Sequence, residues 1–150
     1  MPSNKKPRKR YNPRKTTCGS SPMIRYSKAE GDALKMRIYY HLSRMSTNVG
    51  NGGDYNALIF RLRIGEGLLK HFENPDAQEL VDRAIKIVDA TLARREAYGA
   101  FALEDGGADV IREALAVIDD IHDQTTRIEQ VPIYDQVYAA LDHSLETRYP

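Results

Sequence analysis

Residues 5–15, KKPRKRYNPRK, place seven cations around one tyrosine and two prolines, with no acid among them. The chemistry on offer is the binding of anions. Lys5, Lys6, Arg8, Lys9, Arg10, Arg14 and Lys15 can displace the counterions condensed on nucleic-acid phosphates. Arginine can grip a phosphate through two N–H groups at once, and Tyr11 could stack on an exposed base. Engagement of about five phosphates would give a log–log salt slope of about −4.5 on duplex DNA. Nothing in the run provides base-specific readout. An acidic protein surface is a second partner such an arm could serve, and a solvated tail that binds nothing is the third reading.

A second set of charges lies at the other end of the chain. From position 104 to 146 there are eleven carboxylates against only Arg112 and Arg127. The densest part is IDDIHDQ, residues 118–124, and Asp119, Asp120, Asp123 and Glu129 are the acids expected to form a partner-binding face. Carboxylates along successive helices can imitate the field of a nucleic-acid backbone and occupy a cationic groove on a partner. A solvated helix face is the plainer explanation. A third option joins the two blocks, with the arm of one copy lying on the acidic helices of another to make a homo-oligomer.

Asp119, His122 and Asp123 fall on one side of one helix, and His143 and Glu146 on one side of the next. Paired helices can converge on a metal in this way. The paired Glu-x-x-His signature is missing, and a histidine beside an apolar stripe more often covers the core edge, so no metal is expected. The chain contains no phosphate-cradling Gly-x-x-x-x-Gly-Lys, no His-Glu-x-x-His and no Gly-x-Ser-x-Gly. Cys18 has no fixed base beside it in an arm of this composition, and nucleophilic catalysis needs one. The expectation is a protein that is not an enzyme and uses no cofactor.

The elements that must position these groups follow from composition and periodicity. The chain has 150 residues and a net charge of +1, which conceals a strong division. Residues 1–29 carry nine Lys or Arg and no acid, and the remainder is net negative. Pro2, Pro7, Pro13 and Pro22 forbid a regular helix, so residues 1–24 are expected to be extended and mobile when unbound. The organisation read from this is a basic, proline-containing arm over 1–26 and a helical domain over 27–150. A single cysteine, no secretory signal and no long apolar run point to a reducing cytoplasm.

Ser27 and Glu30 have the spacing of a capping box, and Leu34, Ile38, Leu42 and Met45 recur behind them at helical intervals. STNVGNGGD, residues 46–54, separates this helix from a second, with Asp54 as the expected cap. The second helix has Leu58, Leu62, Gly65, Leu69 and Phe72 on one stripe, and its glycines suggest close packing. Nine intervening residues are too many for a helix-turn-helix. Asn74, Pro75 and Asp76 announce a third helix with Val81, Ile85, Val88 and Leu92 inward and Gly99 as its stop. A fourth carries Val110, Ala114, Val117 and Ile121 beside Ile111, Leu115 and Ile118. Pro132 either opens a fifth helix or kinks the fourth, and Tyr134, Val137, Tyr138, Leu141 and Leu145 line the last helical stretch. No stretch alternates with period two. The fold class is therefore all-α, an antiparallel bundle of about five helices with an extended basic arm.

Three blocks, KKPRKRYNP, DYNALIFRLRIGEGLL (54–69) and RREAYGAFAL (94–103), resemble a group of small uncharacterised helical proteins of proteobacterial phages and prophages. Their order and spacing are similar over most of the chain. Tyr55 stands where the group would have tryptophan. The resemblance implies a mobile-element origin and a bacterial host cytoplasm, and carries over no functional residue. Small phage proteins of this size frequently act by binding host machinery, including CRISPR effectors. Three functions follow as expectations: a non-enzymatic, anti-CRISPR-like modulator of a host nucleoprotein complex, a direct nucleic-acid-binding accessory, and a structural homo-oligomer held by arm-to-acidic-face contacts.

Overall fold

A computed structural model describes residues 8–11 and 28–150, with side chains in the second span from residue 31 onward. Lys5, Lys6, Arg14, Lys15, Cys18 and Ser27 lie outside the described residues, and with them the expected Ser27–Glu30 capping contact. The described chain is all-helical, with six helices: α1 Lys28–Ser46, α2 Gly52–Leu69, α3 Pro75–Tyr98, α4 Gly107–Gln124, α5 Arg127–Ala140 and α6 Ser144–Arg148. No helix among these residues is long and apolar enough to cross a membrane.

α2 is the hub, and its sequence explains why. Apolar side chains are distributed all around it, which is the pattern of a helix buried on every side. It packs against each of the other five helices. The expected stripe of Leu58, Leu62, Gly65 and Leu69 is buried, but so are Tyr55, Ile59, Ile64 and Leu68 on other faces. Gly65 sits where α2 crosses α4, and a Cβ built there would collide with the side chain of Ile118. Further along α2, a Cβ at Gly67 would stand 2.6 Å from Ile133 of α5. The helical penalty of these glycines, about 1 kcal/mol each, is offset by close approach of two neighbouring helices.

Gly65→Ala tests this directly. The gain of about 1 kcal/mol in helix propensity opposes an overpacking cost of about 1–3 kcal/mol. A net loss of about 1 kcal/mol is expected as a lower urea midpoint with unchanged slope. Trimming Ile118 to Val in the same chain should restore part of it.

The boundaries of α2 and α5 differ from the sequence expectation for local reasons. Asn51, not Asp54, caps α2: its side chain accepts from the Asp54 N–H at 3.0 Å, and Asp54 Oδ2 accepts from the Asn51 N–H at 2.9 Å. This reciprocal pair starts the helix at Gly52 and shortens the connection after α1 to residues 47–51. In α5, Thr126 caps and Glu129 returns the bond, so the helix opens before Pro132 and the proline sits inside it. Pro132 and Ile128, whose carbonyl it cannot pair with, both lie on the exposed side. The final helical stretch also breaks: Leu141 is the C-cap of α5, and Leu145 is buried from the separate helix α6. Leu34 of the α1 stripe is 54 % exposed, whereas Ile38, Leu42 and Met45 are in the core.

The third helix follows its signals. The Asn74 side chain accepts from the Ala77 N–H at 3.0 Å, Pro75 is the first helical residue, and Gly99 closes the helix with φ of 83°.

Candidate functional site

Residues 8–11 are the part of the basic arm that the structure describes, and they lie against the body. Lys9 forms an isolated parallel bridge with Phe72, and its carbonyl accepts from the Glu73 N–H at 3.0 Å. Its ammonium donates to Glu129 Oε1 at 2.8 Å. Tyr11 is only 7 % exposed: its ring stands edge-on to Phe72, with centroids 6.1 Å apart, and its hydroxyl donates to Asp120 at 3.2 Å. In an extended segment, alternate side chains point to opposite sides. Lys9 and Tyr11 hold the body, Tyr11 by burial and Lys9 by a pair that leaves its side chain 54 % exposed, and Arg8 and Arg10 are exposed as well.

For these four residues the expectation of a free arm gives way to an anchored one. Tyr11 is also corrected: a buried ring with its hydroxyl on a carboxylate is not presented for base stacking. Burial first, then the charge of Asp120, pushes its phenol well above the ordinary value. The sequence hides this because Phe72 and Asp120 are far from position 11 along the chain, and a tyrosine among cations reads as a ligand contact.

The predicted acidic face is brought together, and each of its four members has a partner inside the chain. Asp119 accepts from Arg61 at 2.8 Å and from the Tyr39 hydroxyl at 3.4 Å. Asp120 holds Tyr11, and Asp123 pairs with Lys35 at 2.8 Å. Burial works against the charge of Glu129, but Lys9 and the Thr126 N–H and hydroxyl outweigh it and keep its pKa below the usual carboxylate range. The α4–α5 acids thus serve as receptors for cations and hydroxyls from the arm, α1 and α2.

The histidines take separate roles. His122 Nε2 lies 2.9 Å from the Tyr134 hydroxyl, and His143 Nε2 lies 3.1 Å from the Tyr138 carbonyl. No cluster of three or more His, Cys, Asp or Glu suited to a metal occurs among the described residues. Burial, and next the positive charge of Arg61, pull the His122 pKa down to about 4.

This gives a pH prediction. The unfolded chain, with its histidine near 6.5, takes the proton first. Stability should therefore fall as pH drops from about 6.5 to about 4 and show no further loss from this group below that. A change on the order of 3 kcal/mol is expected. Chemical denaturation across this range, with His122→Gln as the flattened control, measures it.

One feature escaped sequence reasoning altogether. A groove of about 480 Å³ lies between α2, α3 and α5, with Ile59, Leu92, Ile133 and Val137 among its apolar walls and Arg63, Lys70 and Asp89 at charged positions. Tyr55 is buried beside it and donates to Asp89 at 2.9 Å. Grooves depend on how helices cross, and one-dimensional periodicity carries no such information.

No protein-family model, curated protein or solved structure matches the chain.

Proposed function

We propose that this chain is a non-enzymatic binding protein of a phage or related mobile element that modulates or blocks a host nucleoprotein complex, in the manner of an anti-CRISPR inhibitor. Its helices would act as an antiparallel bundle giving shape, and the basic arm as the principal contact in the bacterial cytoplasm. The mobile-element origin rests on the resemblance of the three sequence blocks, and the observation that supports the binding role is the anchored arm. Tyr11 is buried in the body, Lys9 pairs with Glu129 while its side chain stays 54 % exposed, and Arg8 and Arg10 are exposed. The internal pairing of Asp119, Asp120, Asp123 and Glu129 shifts weight from the acidic face to the arm as the binding element.

The test is capture of partners from bacterial lysate on the immobilised chain, with and without nuclease. Recovery of a protein–nucleic-acid assembly that is lost from an arm-neutralised variant is the expected result. Recovery of no host component under either condition refutes the proposal.

Direct binding of nucleic acid is the second reading, favoured by the same exposed arginines. It predicts gel shifts that weaken steeply between about 50 and 200 mM salt. The third reading, an oligomer joined by arms, is disfavoured by the closed contact seen within one chain. A tethered segment competes at an effective concentration on the order of millimolar, so exchange between copies would require similar protein concentrations.

A further inference from the structure

Lys9 and Tyr11 have partners, so the question is what their anchoring does for Arg8 and Arg10. We infer that the clasp of Lys9 on Glu129 and Tyr11 on Phe72 and Asp120 holds Arg8 and Arg10 as a pre-organised pair for a nucleic-acid phosphodiester backbone. The inference rests on the reading of the protein as a binder of nucleoprotein, and it names the partner's chemistry and the residues that meet it.

Three contacts of different kinds set the register of the segment. The bridge to Phe72 and the Glu73 N–H fix the backbone at Lys9. The Lys9–Glu129 pair fixes one side chain, and the Tyr11 ring and hydroxyl fix the next inward one. Extended backbone about the Lys9 bridge would hold the Arg8 and Arg10 Cα atoms roughly 6.5 Å apart and direct their side chains away from that of Lys9. Guanidinium groups recognise phosphate oxygens by paired N–H donors, and nothing about a phosphate requires a buried pocket. The inward burial of Tyr11 removes that ring from contact with bases, which leaves Arg8 and Arg10 a contact to the backbone that is indifferent to sequence. Anchoring lowers the ordering cost that a free arm would pay on binding. Lys9 and Tyr11 are positioning residues in this scheme, and Arg8 and Arg10 make the contact.

Pre-organisation and bare electrostatics predict opposite signs for one substitution. Glu129→Gln removes a negative charge and releases Lys9, which on charge alone should tighten binding to DNA. It retains the side-chain carbonyl that a capping box can use, so α5 should persist. If the clasp positions the arginines, Glu129→Gln should instead weaken binding by about three- to tenfold. Tyr11→Phe, which keeps the ring and changes no charge, should weaken it in the same direction.

The experiment uses the full chain and fluorescence anisotropy with a short mixed-sequence single-stranded DNA and its duplex, over a salt series. Circular dichroism confirms that each variant is folded. Arg8→Ala with Arg10→Ala is expected to lose about tenfold or more in affinity. The salt slope on single strands should fall by about 1.4. Glu129→Gln and Tyr11→Phe are expected to lose affinity with the slope nearly unchanged, because the same phosphates are contacted once bound. A Glu129→Gln chain that binds more tightly overturns the clasp and leaves the nucleoprotein reading standing. An Arg8→Ala, Arg10→Ala chain that binds as the parent does, or a parent that binds neither DNA, overturns the inference, and capture from lysate then decides the broader reading by itself.

Discussion

Replacing Phe72 with alanine is expected to remove about 3–5 kcal/mol of stability and to loosen the arm. The ring is 2 % exposed and lies just beyond the C-terminus of α2. Truncation leaves a cavity where the surrounding helices cannot collapse fully. The loss would be a large part of a stability that for ordinary domains is about 5–15 kcal/mol. Its second consequence separates Phe72 from other core aromatics. Tyr11 packs edge-on against this ring, so the cavity opens beneath the clasp. Phe101→Ala is the matched control: the residue is similarly buried, at 1 %, but its ring packs with Tyr55 and Tyr149 and not with Tyr11. Both variants should unfold at lower denaturant by similar amounts. Under native conditions trypsin should cut at Arg8, Lys9 or Arg10 faster in Phe72→Ala than in Phe101→Ala. Equal cutting would mean that the ring does not anchor the segment.

How much of this is legible in the sequence depends on the range of each interaction. The ends of α3 are readable because capping is local: Asn74, Pro75 and Gly99 act on backbone groups a few residues away. The same locality misleads at α2, where two capping residues compete and Asp54 reads as the cap. Asn51 fills that role, since an Asp three residues after an Asn can close the pair from the inside. α2 reads as a one-sided helix because its strongest stripe is contiguous. Its burial on every face depends on five neighbours that periodicity within the segment cannot count. The acids of α4 can be located, but their partners Arg61, Lys35 and Tyr11 come from three other segments. A charge run seen in one dimension therefore looks like a free surface, and a run of seven cations over residues 5–15 looks untethered. Residue type identifies which groups can take part, and only the packing of the helices determines with whom.

Asp54→Ala is expected to be the most damaging single substitution of a polar residue, at about 3 kcal/mol. Its carboxylate is 3 % exposed and does three jobs at the junction of α1 and α2. Oδ1 lies 2.7 Å from His41 Nδ1, and Oδ2 accepts from Arg44 Nε at 2.9 Å and from the Asn51 N–H at 2.9 Å. An ionised carboxylate can only accept, which places the shared proton on His41 Nδ1. Burial by itself would raise the Asp54 pKa, but the bonds from His41, Arg44 and Asn51 outweigh it and leave the group below the ordinary aspartate value. The sign of the pH effect follows. The stabilisation is complete above the unfolded-state pKa near 3.9 and is lost as pH falls through the lower folded-state value. Asn51→Ala removes one reciprocal cap and should cost about 1 kcal/mol. The excess in Asp54→Ala over that figure measures the two links to α1, because Arg44 and His41 then lose their common acceptor at this junction. In double-mutant cycles with Arg44→Met and with His41→Ala, couplings near zero in both would show that the α1–α2 junction is held by its apolar contacts and that the buried carboxylate serves the cap alone.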